Sequence, residues 1–471
     1  MEDIDENGIF WLPGSPEKTF VGHLKFSAEG GASLVALEGF AVPRQSGDAV
    51  PRILGQVRNK KVTLLDSGRF AETVYGAGLA YSRYRPQHLF MGQSFIPEDE
   101  PSFTTAHARY HNLPQWVNRT GFIFDRHDSL DEITIRYKQP DALTGQFSRG
   151  TVYVDFSWRS DGEDLRERRI VEWPSVRVAY PHPTPLGEVL RDLRHVQDLV
   201  TLCTDAPSQI NSIRLQRPDL PQISLAGKPF PNSQDPIEYF NEPVESPNGL
   251  KTVHSHRMLV GLDDVGGIET ICKWLDNADD LGYVLGLLMT GRTNRSVYVE
   301  NRFLNICAAA EAFHRLIYGG TQISPARFET LRKLAIESMP NGKDRAWIKG
   351  RLRYNEPTLA DRLQSLASEV EPALDGLVPD VRSWSITVAE VRNRLVHQDR
   401  PGMHAFDGSL LYWLAESVFS LARASMLRHA GVGEAVMRHI GESRRTTWYR
   451  TRLDDALTRA RQLLDQRRSA L

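Results

Sequence analysis

Arg392, Asn393 and His397 stand together in the segment Glu390-Val391-Arg392-Asn393-Arg394-Leu395-Val396-His397. Breaking a phosphodiester without a metal needs three things: a proton acceptor for the attacking hydroxyl, a proton donor for the leaving oxygen, and a cation for the phosphorane. An imidazole such as that of His397 suits proton transfer because it titrates near neutral pH. The Arg392 guanidinium offers phosphate oxygens a planar fork of donors that stays charged. Asn393 could hold the imidazole in one tautomer or bind the phosphate itself. RNA brings its own nucleophile, the 2′-hydroxyl beside each phosphate. The nearest acids, Glu390 and Asp399, make no spaced set that would cage the ions, about 4 Å apart, of a two-metal nuclease. The reading is therefore metal-independent, with no cofactor.

An Arg-x4-His pattern is weak by itself. Arg83/His88 and Arg177/His182 repeat it, and Arg423/His429 repeats it with one more residue between. Short patterns in an arginine-rich chain arise mostly by chance. Context separates them. Arg83 and Arg177 lie in strand-like or proline-adjacent sequence, and Arg423 has neither a polar residue after it nor a helix stop near its His. At about 100° per residue, Asn393 and His397 share one helix face. Arg392 lies roughly 140° from His397, so it reaches the same site only near a helix end or beside a second chain. Pro401 and Gly402 follow, which puts His397 close to where the helix must stop. The plainer reading is a surface arginine plus a histidine that complements the helix dipole.

The elements that must position these residues are helical. Trp384, Val388, Val391 and Leu395 recur at four-three-four spacing behind a cap at Asp380. Phe303, Ile306, Cys307, Ala310, Phe313 and Ile317 form a second stripe, and Leu411, Leu414, Val418 and Leu421 a third. Together they predict a bundle of about four or five helices over residues 296–440. Residues 1–180 read instead as a β-rich domain, a sandwich or barrel. Ile133, Ile135 and Tyr137 alternate with polar residues, as do Val152, Val154, Phe156 and Trp158, which predicts strands with one buried face. Gly22–Phe26, Ser33–Leu37, Ile53–Val57 and Lys61–Leu65 are further strands. Residues 181–295 read as a mixed helical and linker region. Within it, Leu186–Cys203 and Ile268–Met289 are helical, and residues 228–249 form a long loop because five prolines bar a helix or central strand. Residues 441–471 read as a basic C-terminal helix. The fold class is thus multidomain α+β, consistent with the roughly two to four domains expected of 471 residues.

A helical bundle whose penultimate long helix ends in Arg-Asn-x3-His resembles the HEPN ribonuclease superfamily. The layout as a whole is similar to the Apea-like branch, found in bacterial anti-phage defence. Its β-rich N-terminal region opens much as Gly8-Ile9-Phe10-Trp11-Leu12-Pro13 does here. It continues like Gly22-His23-Leu24 and the Lys61-Val62-Thr63-Leu64-Leu65 strand. The segment Ala310-Glu311-Ala312-Phe313-His314-Arg315 resembles the family's first HEPN helix. The resemblance implies a homodimer through the bundle, with motifs of both protomers lining one cleft, so that a second His397 supplies both an acid and a base. It also implies an RNA substrate, tRNA among the candidates, a phage-encoded trigger, and an N-terminal domain that senses or restrains. Glu311 is an added candidate for the catalytic set, beside the plainer reading that it pairs with Arg315 at i+4.

Two basic regions could meet RNA phosphates. Lys343, Arg345, Lys349, Arg351 and Arg353 cluster near Trp347 and Tyr354, and eight C-terminal arginines surround Trp448 and Tyr449. The tail's Leu453, Leu457, Ala460 and Leu464 stripe equally fits an amphipathic helix packed on the bundle. His254-x-His256 would point two imidazoles the same way on a strand, but no Cys or third His is nearby, so a metal site is not expected. Cys203, Cys272 and Cys307 are too scattered for a disulfide framework or a zinc site. No Walker A, GxSxG or HExxH pattern occurs. The start is acidic and no apolar stretch approaches the roughly 20 residues of a membrane span, so a soluble, cytoplasmic protein is expected. A net charge of −2 says little about partners. Three functions compete: a ribonuclease of a defence (abortive infection) system, a HEPN module that binds RNA or a nucleotide without cutting it, and a sensor or scaffold acting through its β domain.

Overall fold

The computed structural model describes residues 3–27, 30–37, 49–74, 80–126, 133–162, 166–223, 229–241, 250, 252–293, 297–397 and 406–468. The chain divides into two compact units, Met1–Asp276 and Asn277–Leu471.

The strands of the first unit are β1 (Ile4–Trp11), β2 (Phe20–Ser27), β3 (Gly31–Leu37), β4 (Ala49–Val57), β5 (Lys60–Val74), β6 (Ala80–Met91), β7 (Ser102–Tyr110), β8 (Phe122–Arg126), β9 (Ile133–Tyr137), β10 (Leu143–Phe147), β11 (Gly150–Asp161), β12 (Arg169–Pro185), β13 (Ile210–Gln216), β14 (Pro221–Ile223), β15 (Pro229–Gln234) and β16 (Ile237–Asn241). Twelve of them form one sheet in the order β10-β11-β12-β7-β13-β16-β6-β3-β2-β1-β4-β5. Because β5 also pairs along β6 from Val62↔Met91 to Val74↔Ala80, the last six strands close into a barrel. Closure removes the sheet edge that would otherwise template aggregation. Alternate residues point inward, among them Phe10, Leu24, Leu34, Ile53 and Leu64, and make the barrel core. The Phe10 ring fills the space that a side chain at Gly55 would need. The other six of the twelve extend the sheet, while β8 pairs with β9 and β14 with β15 in two separate two-stranded sheets. The helices α1 (Leu113–Val117) and α2 (Leu186–Thr204) pack on that extension, and Leu193 O of α2 accepts from the Tyr110 hydroxyl at 2.9 Å.

Three expectations need correction. The proline-rich stretch 228–249 is not simply a loop. Pro236 lies just before β16, which itself contains no proline and keeps its ladder donors, so it pairs with β13 (Ile213↔Tyr239) and β6 (Phe240↔Leu89) inside the sheet. Ile135 alternates as anticipated yet is 54% exposed, because β8 and β9 form a separate two-stranded sheet. His254 and His256 do not lie on a strand: His256 is in the single helical turn Ser255–Arg257 and His254 just precedes it, with the two rings stacked.

The stretch Ile268–Met289 is two helices, α3 (Ile268–Leu281) and α4 (Tyr283–Thr293), separated where Gly282 takes φ +45°. The first unit ends within α3. The second unit continues with α5 (Val299–Tyr318), α6 (Pro325–Glu337), α7 (Lys343–Arg351), α8 (Leu359–Glu369), α9 (Glu371–Leu374), α10 (Val381–His397), α11 (Gly408–His429), α12 (Glu434–Glu442) and α13 (Arg444–Arg468). The core is the contact of α5, α8, α10 and α11, filled by Phe303, Phe313, Leu363, Trp384 and Leu414. The C-terminal stripe Leu453, Leu457, Ala460 and Leu464 is buried, and α13 packs against α11 and α10. No helix among the described residues is long and apolar enough to cross a membrane.

Candidate active site

The helix α10 begins where Asp380 accepts the Ser383 N–H at 2.9 Å, a side-chain cap on an otherwise orphaned donor. Trp384, Val388 and Val391 are fully buried, and the Trp384 indole donates to Ser417 Oγ of α11 at 2.9 Å. That bond and the apolar stripe fix how the helix is rotated. Arg392 and Asn393, next in sequence after Val391, therefore fall on the open side. The Arg392 side chain is 31% exposed, and Asn393 is exposed.

Across from them, Phe303, Ile306, Cys307 and Ala310 anchor α5 in the core and leave Glu311 at its margin. Arg392 Nη2 donates to Glu311 Oε2 at 3.2 Å, and Arg392 Nη1 donates to Asn393 Oδ1 at 3.0 Å. One guanidinium is thus held from two helices, with part of its surface still open. Burial pushes the Cys307 thiol, one turn before Glu311, up to about 12, so it stays protonated.

The pairing continues beyond the residues that sequence reasoning singled out. Glu311 also meets Arg315 at 3.7 Å, Arg315 meets Glu356 at 2.6 Å, and Glu356 lies 3.8 Å from Arg362. Arg362 is fully buried, and its Nη1 lies 3.1 Å from His314 Nδ1. Burial, and then the facing Arg362 charge, hold the His314 imidazole below its usual range. Neutral, it presents Nδ1 as the acceptor of the arginine's proton. The Glu311-x3-Arg315 spacing was visible in the sequence, but no periodicity pointed to Glu356 or Arg362.

The helix α10 extends to His397 as its last residue, so Arg392, Asn393 and position 397 share one helix. The His397 side chain and residues 398–405 lie outside the described residues. Of the other predicted residues, Lys343, Arg345, Lys349 and Arg351 are on α7 and Arg353 just after it. Their described contacts stay local: Arg345 bonds Asn341, the Arg351 guanidinium lies 5.7 Å from the Trp347 ring centre, and that of Arg353 lies 5.5 Å from the Tyr354 ring centre. The structure brings Arg392, Asn393 and Glu311 together, and among the described residues no hydrogen bond or ion pair links the α7 cations to that cluster. Of the look-alike pairs, Arg83/His88 and Arg177/His182 lie on β6 and β12, where Arg177 is bound by Asp155 at 2.6 Å. The third, Arg423/His429, needs a correction: α11 does stop at its His, with Gly431 just beyond, but Arg423 is buried. Among the described residues, no group of three or more His, Cys, Asp or Glu could hold a metal ion.

The family description "ApeA N-terminal domain 1" matches residues 5–274, and "Apea-like HEPN" matches residues 304–436. The first match spans more than half the chain and ends where the first compact unit ends. The second contains Glu311, α7 and α10. No curated protein and no solved structure matches the chain. The pair of domains fits an anti-phage defence nuclease, and HEPN domains commonly dimerise and act on RNA. With an ApeA N-terminal domain followed by an Apea-like HEPN domain, the chain belongs to the ApeA-type HEPN defence proteins.

Proposed function

We propose that the chain is a metal-independent endoribonuclease of an anti-phage (abortive infection) system, with Arg392, Asn393 and His397 as its catalytic residues. The observation that carries the reading is the state of Arg392. Its guanidinium is steered by Glu311 and Asn393, remains partly open to solvent, and lies on the helix that ends at His397. A phosphate oxygen could therefore meet a preoriented cation, the arrangement that stabilises a phosphorane most. Glu311 acts through Arg392 as a positioning residue.

In the proposed reaction a histidine takes the proton of the 2′-hydroxyl, and the 2′-oxygen attacks phosphorus. The bond from phosphorus to the 5′-oxygen breaks, and a second histidine protonates that leaving oxygen. The products are a 2′,3′-cyclic phosphate and a free 5′-hydroxyl. With a single His397 per chain, the acid and the base come from two protomers related by a two-fold axis. The first unit senses a phage product or restrains the nuclease until infection.

The test is cleavage of total bacterial RNA by the full chain, with and without EDTA, beside His397→Ala. Cleavage that survives EDTA, leaves cyclic phosphate ends, spares DNA of the same sequence and disappears in His397→Ala is the expected result. Rescue by magnesium after EDTA, or equal cutting of DNA, would overturn the mechanism. An active protein that light scattering shows to be monomeric would overturn the shared site.

A further inference from the structure

The helices α6 and α7 do not behave like the rest of the bundle. None of the described residues of either helix is buried. Trp347 and Tyr354 are 60% and 66% exposed, and α6 adds Leu331 and Leu334 to the open surface. The two helices are joined by Ser338-Met339-Pro340-Asn341-Gly342, where Gly342 takes φ +131°. They pack on each other, and Arg332 of α6 donates to the Leu352 carbonyl at the end of α7 at 3.1 Å. The result is a hairpin that stands off the bundle.

Its base is clamped. Asn355 Nδ2 donates to Ile323 O at 2.6 Å, and Ile323 N donates to Asn355 Oδ1 at 3.1 Å. The next residue, Glu356, binds Arg315 at 2.6 Å, and Arg315 in turn meets Glu311, the carboxylate that holds Arg392. The root of the hairpin is therefore two ion pairs from the candidate site.

The chemistry of its outer surface is specific. Over residues 343–354 five cations, Lys343, Arg345, Lys349, Arg351 and Arg353, stand against one acid, Asp344. Arg351 and Arg353 sit over the Trp347 and Tyr354 rings, leaving cation and aromatic face side by side. Trp, Tyr and Arg are also enriched at protein–protein interfaces, but five cations against one acid match a polyanion better than they match a protein surface of mixed charge. Phosphates beside exposed bases match it well, because every base has a face to stack and every phosphate a charge to pair. An RNA duplex has no splayed bases to offer the rings.

We infer that the α6–α7 hairpin is a docking arm for single-stranded RNA. Bases stack on Trp347 and Tyr354, and the flanking cations hold the backbone. This inference rests on the ribonuclease reading for the reason an RNA strand is present, and it adds that the strand is unpaired where the arm holds it. The arm acts in capture, before the bond-breaking step.

The experiment uses the full chain carrying Arg392→Ala, so that RNA is bound without being cut. Fluorescence anisotropy is followed with labelled oligoadenylate and with a labelled RNA duplex of equal length. Trp347→Ala and Tyr354→Ala should each weaken single-strand binding by about tenfold, with the duplex little affected. Trp347→Phe should retain the affinity. Lys349→Glu with Arg351→Glu should weaken binding further and flatten its salt dependence. No truncated side chain is buried, so each variant should fold. Unchanged single-strand affinity would overturn the arm, as would equal sensitivity of the duplex. So would unchanged RNA affinity with a changed molecular mass, which would assign the face to a second copy of the chain. The two readings also separate. If arm variants lose RNA but the chain with Arg392 intact cuts none, the arm stands and the ribonuclease falls. If cleavage is present and indifferent to the arm, the reverse holds.

Discussion

Glu416 and Glu311, both in the helical unit, each hold two arginines, and they differ chiefly in burial. Glu416 on α11 is 1% exposed and binds Arg302 together with Arg292 at 2.7 Å, while the Arg292 guanidinium also lies 3.9 Å from the centre of the Phe419 ring. Glu311 on α5 binds Arg392 and Arg315 at 3.2 and 3.7 Å, with over a quarter of its side chain exposed. In the first cluster water has been removed from the charges, so each depends on the others and the cluster pins α4, α5 and α11 together. In the second, solvent screens the pairs and they contribute little stability, but a guanidinium stays available to a phosphate. The same residue types make a buried structural rivet in one place and the half-open cluster of the proposed site in the other. Solvent access decides which.

The sharpest way to break that comparison is Glu416→Ala. It strands two mostly buried guanidiniums and should destabilise the helical unit by about 3–5 kcal/mol, read from the denaturant midpoint. A loss under about 1 kcal/mol would put the two clusters in one class. Next in size is Arg392→Ala, which should lower RNA cleavage by about 10²–10³-fold while stability changes by no more than about 1 kcal/mol. A large stability loss there would mark Arg392 as structural after all. A smaller effect is expected of Glu311→Gln. Arg392 keeps its charge but loses its steering, so kcat should fall by about tenfold with KM little changed, and Glu311→Asp should recover part of it. A KM effect alone would assign Glu311 to substrate binding.

The smallest effect concerns pH. The imidazole of His314 is lowered in the folded protein by burial and by Arg362, from a starting value of 6.5. A group with a depressed folded value favours folding above its unfolded value, and that contribution is lost as pH falls through and below it. Melting temperature should therefore drop modestly as pH is taken from 7 to 5, and His314→Gln should flatten that slope. A slope unchanged in the variant would remove His314 from the account.

Much of the fold was legible because burial leaves periodic marks. The four-three spacing of Trp384, Val388 and Val391, the α5 stripe and the Asp380 cap predicted α5 and α10 closely. The alternation of Val152, Val154 and Phe156 predicted β11. Proline count misled at β16, because what matters is whether the residues that pair carry an N–H, and Ile237–Asn241 all do. Ile135 misled because alternation records which residues share a face, not whether anything covers that face.

The residues of the candidate site divide along the same line. Residue types and local spacing offered Arg392, Asn393 and His397 only as one of several look-alike pairs, and the helical context with the family resemblance singled them out; their chemistry and their place near a helix end are local properties. The sequence also set the helical repeat that puts Glu311 and Arg315 on one side of α5. Tertiary structure alone decided that Glu311 faces Arg392 across 81 residues of chain, that Glu356 and Arg362 extend the network, and that Glu416 rather than Glu311 is buried. It also decided that the α7 cations sit on a helix with no buried residue, where their described contacts are local. These are distances between segments remote in sequence and the depth of each below water. Both are set by how stripes pack, which no local pattern encodes.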